Sequence, residues 1–328
     1  MKNLRTPIKV IIDTDPGVDD AFAILYALNR PEFEVLGITS IFGNAGIDLC
    51  TRNALALLEL AGRTDIPVAR GLANPLGKSL AEWEEIRQRF PRGAMNVHGD
   101  NGLGGAELPE PQVQPIDLPA MDFILETVKR YPGEIVLVPL GRLTNVAAAI
   151  IKDRATMEKL AGICLMGGTV RAPGNSTAVA EANIYGDPDA ADLVMTLDVP
   201  KVMVGLDVTM KAIFHEADTQ RLKSFNTKQG NFLVECSRHY DAFYRHHNPH
   251  LDGFSIHDVL PFTYLLHPEL FEVKDAYVRV ETRGRFTTGQ TVADLRAFAK
   301  DKPNCTVCLD VDHRAVIEDF LETMSKSK

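Results

Sequence analysis

The sequence is poor in cysteine, in tryptophan and in basic charge, and it has no long apolar run. Five cysteines in 328 residues are too few for a disulfide scaffold, so we expect free thiols in a reducing compartment. Lys and Arg number 35 against 44 Asp and Glu, a formal net charge of −9, which argues against nucleic-acid and anionic-membrane partners. No stretch approaches the ~18 apolar residues of a membrane span, and residues 1–7 hold no apolar signal core. We therefore predict a cytoplasmic protein with a small-molecule partner.

The remaining composition is that of an ordinary globular chain. Apolar residues make up 45% and charged residues 24% of the sequence. No linker, internal repeat or low-complexity tract divides the chain, so we predict a single domain over residues 1–328. The one C-x-x-C pair is Cys305 and Cys308, and on a strand two positions three residues apart face opposite sides. A zinc or redox role for this pair is therefore not expected.

Short Val- and Ile-rich runs alternate with helical periodicity through the first two thirds of the chain. The predicted strands are 8–12, 35–40, 135–138, 162–166 and 202–205, and the predicted helices are 21–29, 47–61, 121–131, 145–152 and 189–197. Strands that are apolar on both faces indicate a parallel sheet. The sequence thus predicts an α/β fold with an open, mostly parallel central sheet and helices on both faces.

Two regions depart from this alternation. Residues 71–119 are rich in Pro and Gly with little periodicity, and we expect an active-site flap there. After residue 206 the pattern changes to helices at 231–245 and 259–265, late strands at 278–281 and 306–311, and a terminal helix. We interpret this second region as a C-terminal helical and β-hairpin appendage on the sheet.

The most informative segment is the acidic stretch DTDPGVDD at residues 13–20, which directly follows the first predicted strand. Its four carboxylates repel one another unless protons or a cation neutralise them, and the Pro-Gly pair folds the later two back towards the first two. Asp19 and Asp20 could instead cap the following helix, with Asp13 and Asp15 as turn residues. We favour a site for a hard divalent cation, because open α/β sheets bind ligands at the carboxyl ends of their strands.

Other known motifs can be compared with this segment. An EF-hand loop starting at Asp13 needs Gly sixth and Glu twelfth, where the chain has Val18 and Ile24. No G-x-G-x-x-G follows the first strand and no G-x-S-x-G occurs, which excludes the usual dinucleotide-binding and serine-hydrolase motifs. One alternative stays open, a magnesium-dependent phosphohydrolase of the haloacid dehalogenase type, whose opening motif resembles residues 13–15 and would make Asp13 the nucleophile.

Candidate site residues, most of them polar, also follow the other predicted strands. Each of them alone is more typical of a turn, a helix cap or a structural histidine. Together above one sheet edge they are suited to hold a polyhydroxylated substrate beside a cation. They are Asn44, the segment GRLTN at 141–145, Met166, Asn175, Glu181, Asn183, His257 and Asp258.

Six short motifs spread over nearly the whole chain form a recognisable set. They are DTDPGVDD at 13–20, VHGDNGLGG at 97–105, LMGG at 165–168, AEANI at 180–184, IHD at 256–258 and TGQTVADLR at 288–296. Together they resemble the inosine-uridine preferring nucleoside hydrolase family. The resemblance implies that family's fold and calcium-dependent hydrolysis of the N-glycosidic bond of ribonucleosides to free base and ribose. It also implies a homodimer or homotetramer acting in nucleoside catabolism and salvage.

The resemblance further implies roles for individual residues. Asp15, Asp20 and Asp258 would hold Ca²⁺ through carboxylates and Leu140 through its backbone carbonyl, with water and the ribose diol completing ~6–8 oxygen ligands. The implied substrate-binding residues are Asp19, Asn44, His98, Met166, Asn175, Glu181 and Asn183.

The implied chemistry uses two catalytic residues. Asp15 would act as general base on the water that attacks C1′, and His257 would protonate the departing base. The surrounding carboxylates would stabilise an oxocarbenium-like transition state. Ala182 and His250 stand at or near positions where relatives carry aromatic residues, so the preference for purine or pyrimidine stays open. A non-catalytic protein that binds calcium or nucleosides is a further alternative, which would release no ribose.

Overall fold

The computed structural model describes residues 6–89 and 97–327. In chain order its strands are β1 (Ile8–Thr14), β2 (Phe33–Ser40), β3 (Val68–Arg70), β4 (Ile135–Pro139), β5 (Gly162–Met166), β6 (Lys201–Val204), β7 (Ile213–Phe214), β8 (Phe254–Ser255), β9 (Phe271–Ala276), β10 (Val278–Val280), β11 (Thr291–Ala293) and β12 (Cys305–Val311). Eight of them form one sheet in the order β3-β2-β1-β4-β5-β6-β12-β9. All neighbours in it pair in parallel except β9, which is antiparallel to β12. The predicted open, mostly parallel sheet is confirmed.

Helices cover both faces of this sheet. They are α1 (Val18–Leu28), α2 (Ile47–Leu60), α3 (Leu80–Arg89), α4 (Ala120–Arg130), α5 (Thr144–Met157), α6 (Ala182–Gly186), α7 (Pro188–Met195), α8 (Leu206–Thr209), α9 (Glu216–Ser224), α10 (Lys228–His247), α11 (Val259–Leu266) and α12 (His313–Met324). Val10 and Ile12 of β1 join one core with α1, α2 and α10 to α12, whereas Ile11 joins a second core with α4, α5 and α7. Side chains alternate across a strand, so one buried strand supplies both cores.

The region after residue 206 packs largely on α1. Phe22 of α1 stacks on Phe320 with ring centroids 5.3 Å apart, and it meets Phe214 and Phe254 edge-on at 5.7 and 5.8 Å. These rings are fully buried, and such aromatic pairs contribute beyond the area they bury. Since α1 begins inside the acidic segment, this packing holds that segment in place.

The structure differs from the sequence prediction in the late strands. The strand predicted at 306–311 is β12, and it lies inside the central sheet between β6 and the unpredicted edge strand β9, not in an appendage. The hairpin is formed by β10 and β11 alone. Periodicity identifies a strand but not its partner, which here is more than 100 residues away along the chain. Cys305 and Cys308 lie in opposite cores as free thiols, as expected.

Two further differences concern the ends and the interior of predicted segments. Helix α1 begins at Val18, three residues before the predicted start, so Asp19 and Asp20 lie in its first turn. The region predicted as a loop at 71–119 contains α3. Residues 90–96 of that predicted flap lie outside the described residues. Within the described ranges, no helix combines the length and the apolar character needed to cross a membrane.

The carboxyl ends of β2, β1, β4 and β5 lie side by side at one edge of the sheet. The ladder continues past the strands, because the Leu140 backbone N–H donates to the Asp13 carbonyl at 2.7 Å and that of Ile41 to the Thr14 carbonyl at 2.9 Å. The loops that follow these strands therefore start from fixed positions, and the polar residues of the sequence prediction come together above this edge.

Candidate active site

The loop after β1 turns sharply and leads directly into α1. A Cβ atom at Gly17 would lie 2.6 Å from Asn44 Nδ2 and 2.6 Å from His98 Nδ1, so no larger residue fits there. Asp20 Oδ2 accepts a hydrogen bond from the Gly17 backbone N–H at 2.8 Å, and its Oδ1 accepts one from the Thr14 hydroxyl. Asp20 therefore does cap α1, as the alternative interpretation held. Its carboxylate also has other close neighbours in the site.

Asp19, Asp20 and Asp258 form a buried group that we call the acidic cluster. One carboxylate oxygen from each lies within 4.8 Å of the other two. Asp258 is the residue before α11, yet its side chain makes no capping hydrogen bond. Burial raises the pKa of all three carboxyls, and repulsion from neighbouring carboxylates raises the pKa of Asp19 and Asp258 further. Such a group needs protons or a cation to be stable.

Asp15 lies beside the acidic cluster but is held by other groups. Its Oδ2 accepts hydrogen bonds from the Asn44 backbone N–H at 2.7 Å and from Arg142 Nη1. Its Oδ1 is buried and has no hydrogen-bond partner among the described residues. Burial raises the pKa of Asp15 well above its usual range, against the opposing effect of Arg142. Of the predicted cation ligands, Asp20 and Asp258 belong to the acidic cluster and Asp15 does not. The third member of the cluster is Asp19, which was predicted to bind the substrate.

Residues that follow β4 and β5 form the side of the site next to the acidic cluster and Asp15, which we call the wall. Asn183 Nδ2 donates to the Leu140 carbonyl at 2.6 Å and contacts the Met166 carbonyl at 3.3 Å. Glu181 is buried, and its carboxylate accepts the backbone N–H groups of Gly168, Asn183 and Ile184. The structure thus brings Leu140, Met166, Glu181 and Asn183 together, as the sequence predicted.

The predicted base-recognition and rim residues are less enclosed. Asn175 is exposed and reaches the wall through its Oδ1, which accepts the Ala182 backbone N–H at 2.9 Å. Ala182 is half-buried at the start of α6, and His250 is exposed in the loop after α10. Asn175 therefore belongs to the rim of the site.

His257 is placed next to the acidic cluster by its neighbour Asp258, and both of its ring nitrogens have partners. Nδ1 lies 2.7 Å from Thr209 Oγ1 and Nε2 lies 2.5 Å from the Tyr244 hydroxyl. The ring is 4% exposed, and burial lowers its pKa to about 4. His257 is therefore neutral at pH 7, and Tyr244 is its contact on the Nε2 side.

His98 closes the site over the start of α1. Its Nδ1 accepts the Val18 backbone N–H at 3.1 Å, which makes Nε2 the protonated nitrogen of the neutral ring. The ring stacks on Tyr240 with centroids 5.2 Å apart, and Asp19 Oδ1 lies 3.8 Å from Nδ1. Burial lowers the pKa of His98 to about 3. The described part of the predicted flap therefore does contribute a residue to the site.

Asp13 lies beneath the site and serves its framework. Its Oδ1 accepts hydrogen bonds from Thr39 Oγ1 at 2.5 Å and from Asn145 Nδ2 at 2.8 Å, and the residue is fully buried. Burial raises its pKa to about 7. A nucleophile on phosphate must be reached by its substrate, so this position does not support the phosphohydrolase alternative.

Three residues at the site were not identified from the sequence: Thr209, Tyr240 and Tyr244. Arg142 was included only as part of the segment 141–145, with no role of its own. Tyr240 and Tyr244 are four residues apart and therefore share one face of α10, which was an available signal. Arg142, a cation in a segment of predicted site residues, was another. Thr209 meets His257 across 48 residues of chain, and no local pattern predicts that contact.

The donor set fits a hard divalent cation. Carboxylate oxygens of Asp19, Asp20 and Asp258 converge in the described site. Two carboxylate oxygens there, Asp15 Oδ1 and Asp19 Oδ1, are buried without a hydrogen-bond partner among the described residues. Calcium takes ~6–8 oxygen ligands in flexible geometry, which such a set can supply. A pocket lined by carboxylates also stabilises positive charge that develops on a bound sugar.

The comparisons with known proteins agree on one family. The family model described as inosine-uridine preferring nucleoside hydrolase matches residues 10–318. A probable uridine nucleosidase 1 of Oryza sativa subsp. japonica is 42% identical over 300 residues, which is 90% of this chain and 88% of that protein. Among solved structures, a plant nucleoside hydrolase aligns with a TM-score of 0.89 at 35% identity, covering 98% of this chain and 100% of that one. A purine-preferring ribonucleoside hydrolase from Gardnerella vaginalis aligns with a TM-score of 0.88 at 36% identity, covering 97% and 98%.

Proposed function

The chain belongs to the inosine-uridine preferring nucleoside hydrolase family and hydrolyses ribonucleosides to free base and ribose, and we propose that it does so with a calcium ion at the acidic cluster. The observation that carries the proposal is the set of buried carboxylates at the carboxyl end of β1, two of whose oxygens have no hydrogen-bond partner among the described residues. Asp20 and Asp258 would coordinate the ion. Asp15, Asp19 and the Leu140 carbonyl would lie next to it. When bound, calcium would neutralise the cluster and fix the ribose 2′ and 3′ hydroxyls.

The chain's own residues divide the remaining work. Asp15 Oδ1 takes a proton from the attacking water, while Oδ2 stays bound to Asn44 and Arg142. The ribose is bound by the residues predicted for it, which are Asp19, Asn44, Asn175, Glu181, Asn183 and the Met166 region. The carboxylates stabilise the positive charge that builds on the sugar as the C1′–N bond breaks.

The departing base needs a proton, and we assign its delivery to a relay of Tyr244 and His257. The Tyr244 hydroxyl donates to the base and recovers a proton from Nε2 of the neutral His257, whose Nδ1 takes up a solvent proton on the Thr209 side. His257 Nε2 contacts the Tyr244 hydroxyl, and Tyr240 follows with its hydroxyl 3.5 Å from that of Tyr244. His98, stacked on Tyr240, lies on the same side and would contact the base. Relatives named for uridine and for purines both align along the chain, so we propose the inosine-uridine range of substrates.

Three features that were predicted from the sequence are kept as proposals. A single domain over residues 1–328 is supported by one sheet whose two cores draw on both halves of the chain. A cytoplasmic location is supported by five buried free thiols. A homodimer or homotetramer with a role in nucleoside salvage follows from family membership.

The proposal is tested by measuring ribose and free base over a panel of nucleosides. Inosine, adenosine, guanosine, uridine and cytidine should give base and ribose in equal amounts when calcium is present. Release of phosphate from 5′-phosphorylated substrates, without ribose, would support the phosphohydrolase alternative. Binding of nucleosides or calcium without any ribose would support the non-catalytic alternative.

We expect ribonucleosides to be hydrolysed far better than 2′-deoxyribonucleosides. A site that binds a hydroxyl leaves its own buried groups unpaired when that hydroxyl is missing, so kcat/KM should fall by at least about 10²-fold. The glycosidic bond of a deoxynucleoside is chemically weaker, so slower turnover cannot come from the substrate itself. Uridine and deoxyuridine are the pair to compare. Equal kcat/KM values for the two would show that the ribose contacts are misassigned.

His257→Ala should slow natural nucleosides while sparing p-nitrophenyl riboside. General acid catalysis is worth ~10²–10⁴-fold where the leaving group needs a proton, and p-nitrophenolate does not need one. Tyr244→Phe, which removes the hydroxyl on His257 Nε2, should show the same selectivity. If His257→Ala lowers both rates equally, its role is to position ribose or Asp258.

A further inference from the structure

Arg142 places a guanidinium group among the carboxylates of the site. It lies in the loop between β4 and α5, and its side chain is 15% exposed. Nη1 donates to Asp15 Oδ2, and the guanidinium carbon lies 6.0 Å from the centre of the Phe42 ring. Burial raises the pKa of Asp20 and of Glu181, and the positive charge of Arg142 opposes that rise at both carboxyls. Above, Arg142 enters only as a hydrogen-bond partner of Asp15, and it has no role of its own in the reaction.

Two glycines from different elements leave room for the Arg142 side chain. A Cβ atom at Gly43 would lie 1.9 Å from Arg142 Nη1 and 1.8 Å from Asp15 Oδ2. A Cβ atom at Gly186, at the end of α6, would lie 2.6 Å from Arg142 Cγ. Real Cβ atoms do not approach neighbours that closely. The chain therefore keeps both positions free of a side chain where the ion pair lies.

The contacts of Asp15 are divided unequally between its two oxygens. Both donors, Arg142 Nη1 and the Asn44 backbone N–H, bind Oδ2, and Oδ1 is left buried and free of hydrogen bonds within the described structure. Two donors on one oxygen fix the rotation of the carboxylate plane. They also determine which oxygen is available to take a proton.

A fixed positive charge beside a cation site has a cost. It repels a divalent ion, so a guanidinium there should weaken cation binding rather than assist it. An arginine that served the ion would therefore be poorly placed. One that orients a carboxylate is well placed, because its charge-assisted hydrogen bond is short and directional.

We propose that Arg142 is a positioning residue for the hydrolytic reaction: it binds Asp15 Oδ2 and thereby presents Oδ1 to the attacking water. The inference rests on the proposed function, since it assumes that Asp15 is the general base. It distinguishes Arg142 from a residue that only stabilises the fold, because a fold role predicts parallel losses in stability, cation binding and turnover.

The test compares Arg142→Gln and Arg142→Lys with the wild type in the full-length protein. Measurements are kcat and KM on uridine, the dissociation constant for calcium by titration calorimetry, and the melting temperature. We expect Arg142→Gln to lower kcat by about 10–10²-fold, since a misplaced catalytic group costs up to that much, with KM changed by less than about threefold. Calcium affinity should stay equal or increase. Arg142→Lys should recover part of kcat, because it keeps one charged donor.

Two control variants separate a failure of this proposal from a failure of the variant to fold. Arg63→Gln, at a surface pair with Asp65, should leave all values unchanged. Gly186→Ala displaces Arg142 without removing it and should lower kcat as well, which keeps the proposal open to refutation if Arg142→Gln does not fold. An unchanged kcat in these variants, or a kcat that falls together with calcium affinity, overturns the proposal. A wild-type protein that releases no ribose from any nucleoside refutes the proposed function instead.

Discussion

Asp15→Asn should lower kcat on inosine and uridine by about 10²–10⁴-fold while the protein stays folded. Asparagine keeps the shape of the side chain but cannot accept the proton from water, and it removes one negative charge beside the cluster. Asp15 is 1% exposed and carries an unfavourable buried charge, so the amide should not destabilise the fold. Steady-state kinetics and circular dichroism, taken on the same preparation, check both parts of this expectation.

Asp65→Asn is the matched control for that variant. Asp65 is an exposed carboxyl paired with Arg63 Nε at 2.9 Å, far from any role in the site, and its substitution should leave kcat unchanged. An Asp15→Asn protein that keeps more than half of the wild-type kcat would show that another group accepts the proton.

Removal of the divalent cation should abolish turnover and lower the melting temperature. The purified protein is expected to contain one calcium per chain by elemental analysis. An ion that binds the folded chain alone at 1,000 times its dissociation constant adds about 4 kcal/mol of stability, which chelation would remove. Activity should return on adding calcium, and less completely with magnesium, which demands a stricter octahedral site. Absence of any divalent ion, together with full activity after thorough chelation, would refute the cation site.

The loss of stability after chelation should grow as the pH rises. The pKa values of Asp15, Asp19, Asp20 and Asp258 are all raised in the folded chain. A group with a raised folded pKa stabilises the fold below its unfolded pKa of about 4, and this contribution is lost as the pH climbs through the folded value. The chelated protein should therefore melt at lower temperature at pH 8 than at pH 5. The calcium-loaded protein should not show this trend, because the ion replaces the protons.

Local sequence patterns predicted the sheet and the acidic loop well, because both depend on neighbouring residues. Strand β5 has the predicted bounds, since a short apolar run ends there at Gly167 and Gly168. The sequence left two roles open for Asp20, and the structure shows both. Its Oδ2 caps α1 by accepting the Gly17 backbone N–H, and its carboxylate also belongs to the acidic cluster. Neither role could be separated from the other by spacing alone.

Contacts between distant parts of the chain were beyond such patterns. The Asp15 and Arg142 pair spans 127 residues, and its existence depends on β1 and β4 being neighbours in the sheet. The placement of β12 depends in the same way on β6, and the partners of His257 depend on how α8 and α10 pack. Each of these is decided by tertiary packing, which a periodicity of 2 or 3.6 residues does not record.

A crystal structure of the protein soaked with calcium and ribose tests the central claim most directly. The account predicts a single anomalous peak bounded by Asp20 and Asp258, about 2.3–2.6 Å from their carboxylate oxygens, with the ribose 2′ and 3′ hydroxyls in its coordination sphere. It also predicts that Asp15 Oδ1 faces the C1 atom of the sugar. A calcium peak elsewhere in the molecule, or ribose bound away from the acidic cluster, would contradict the account.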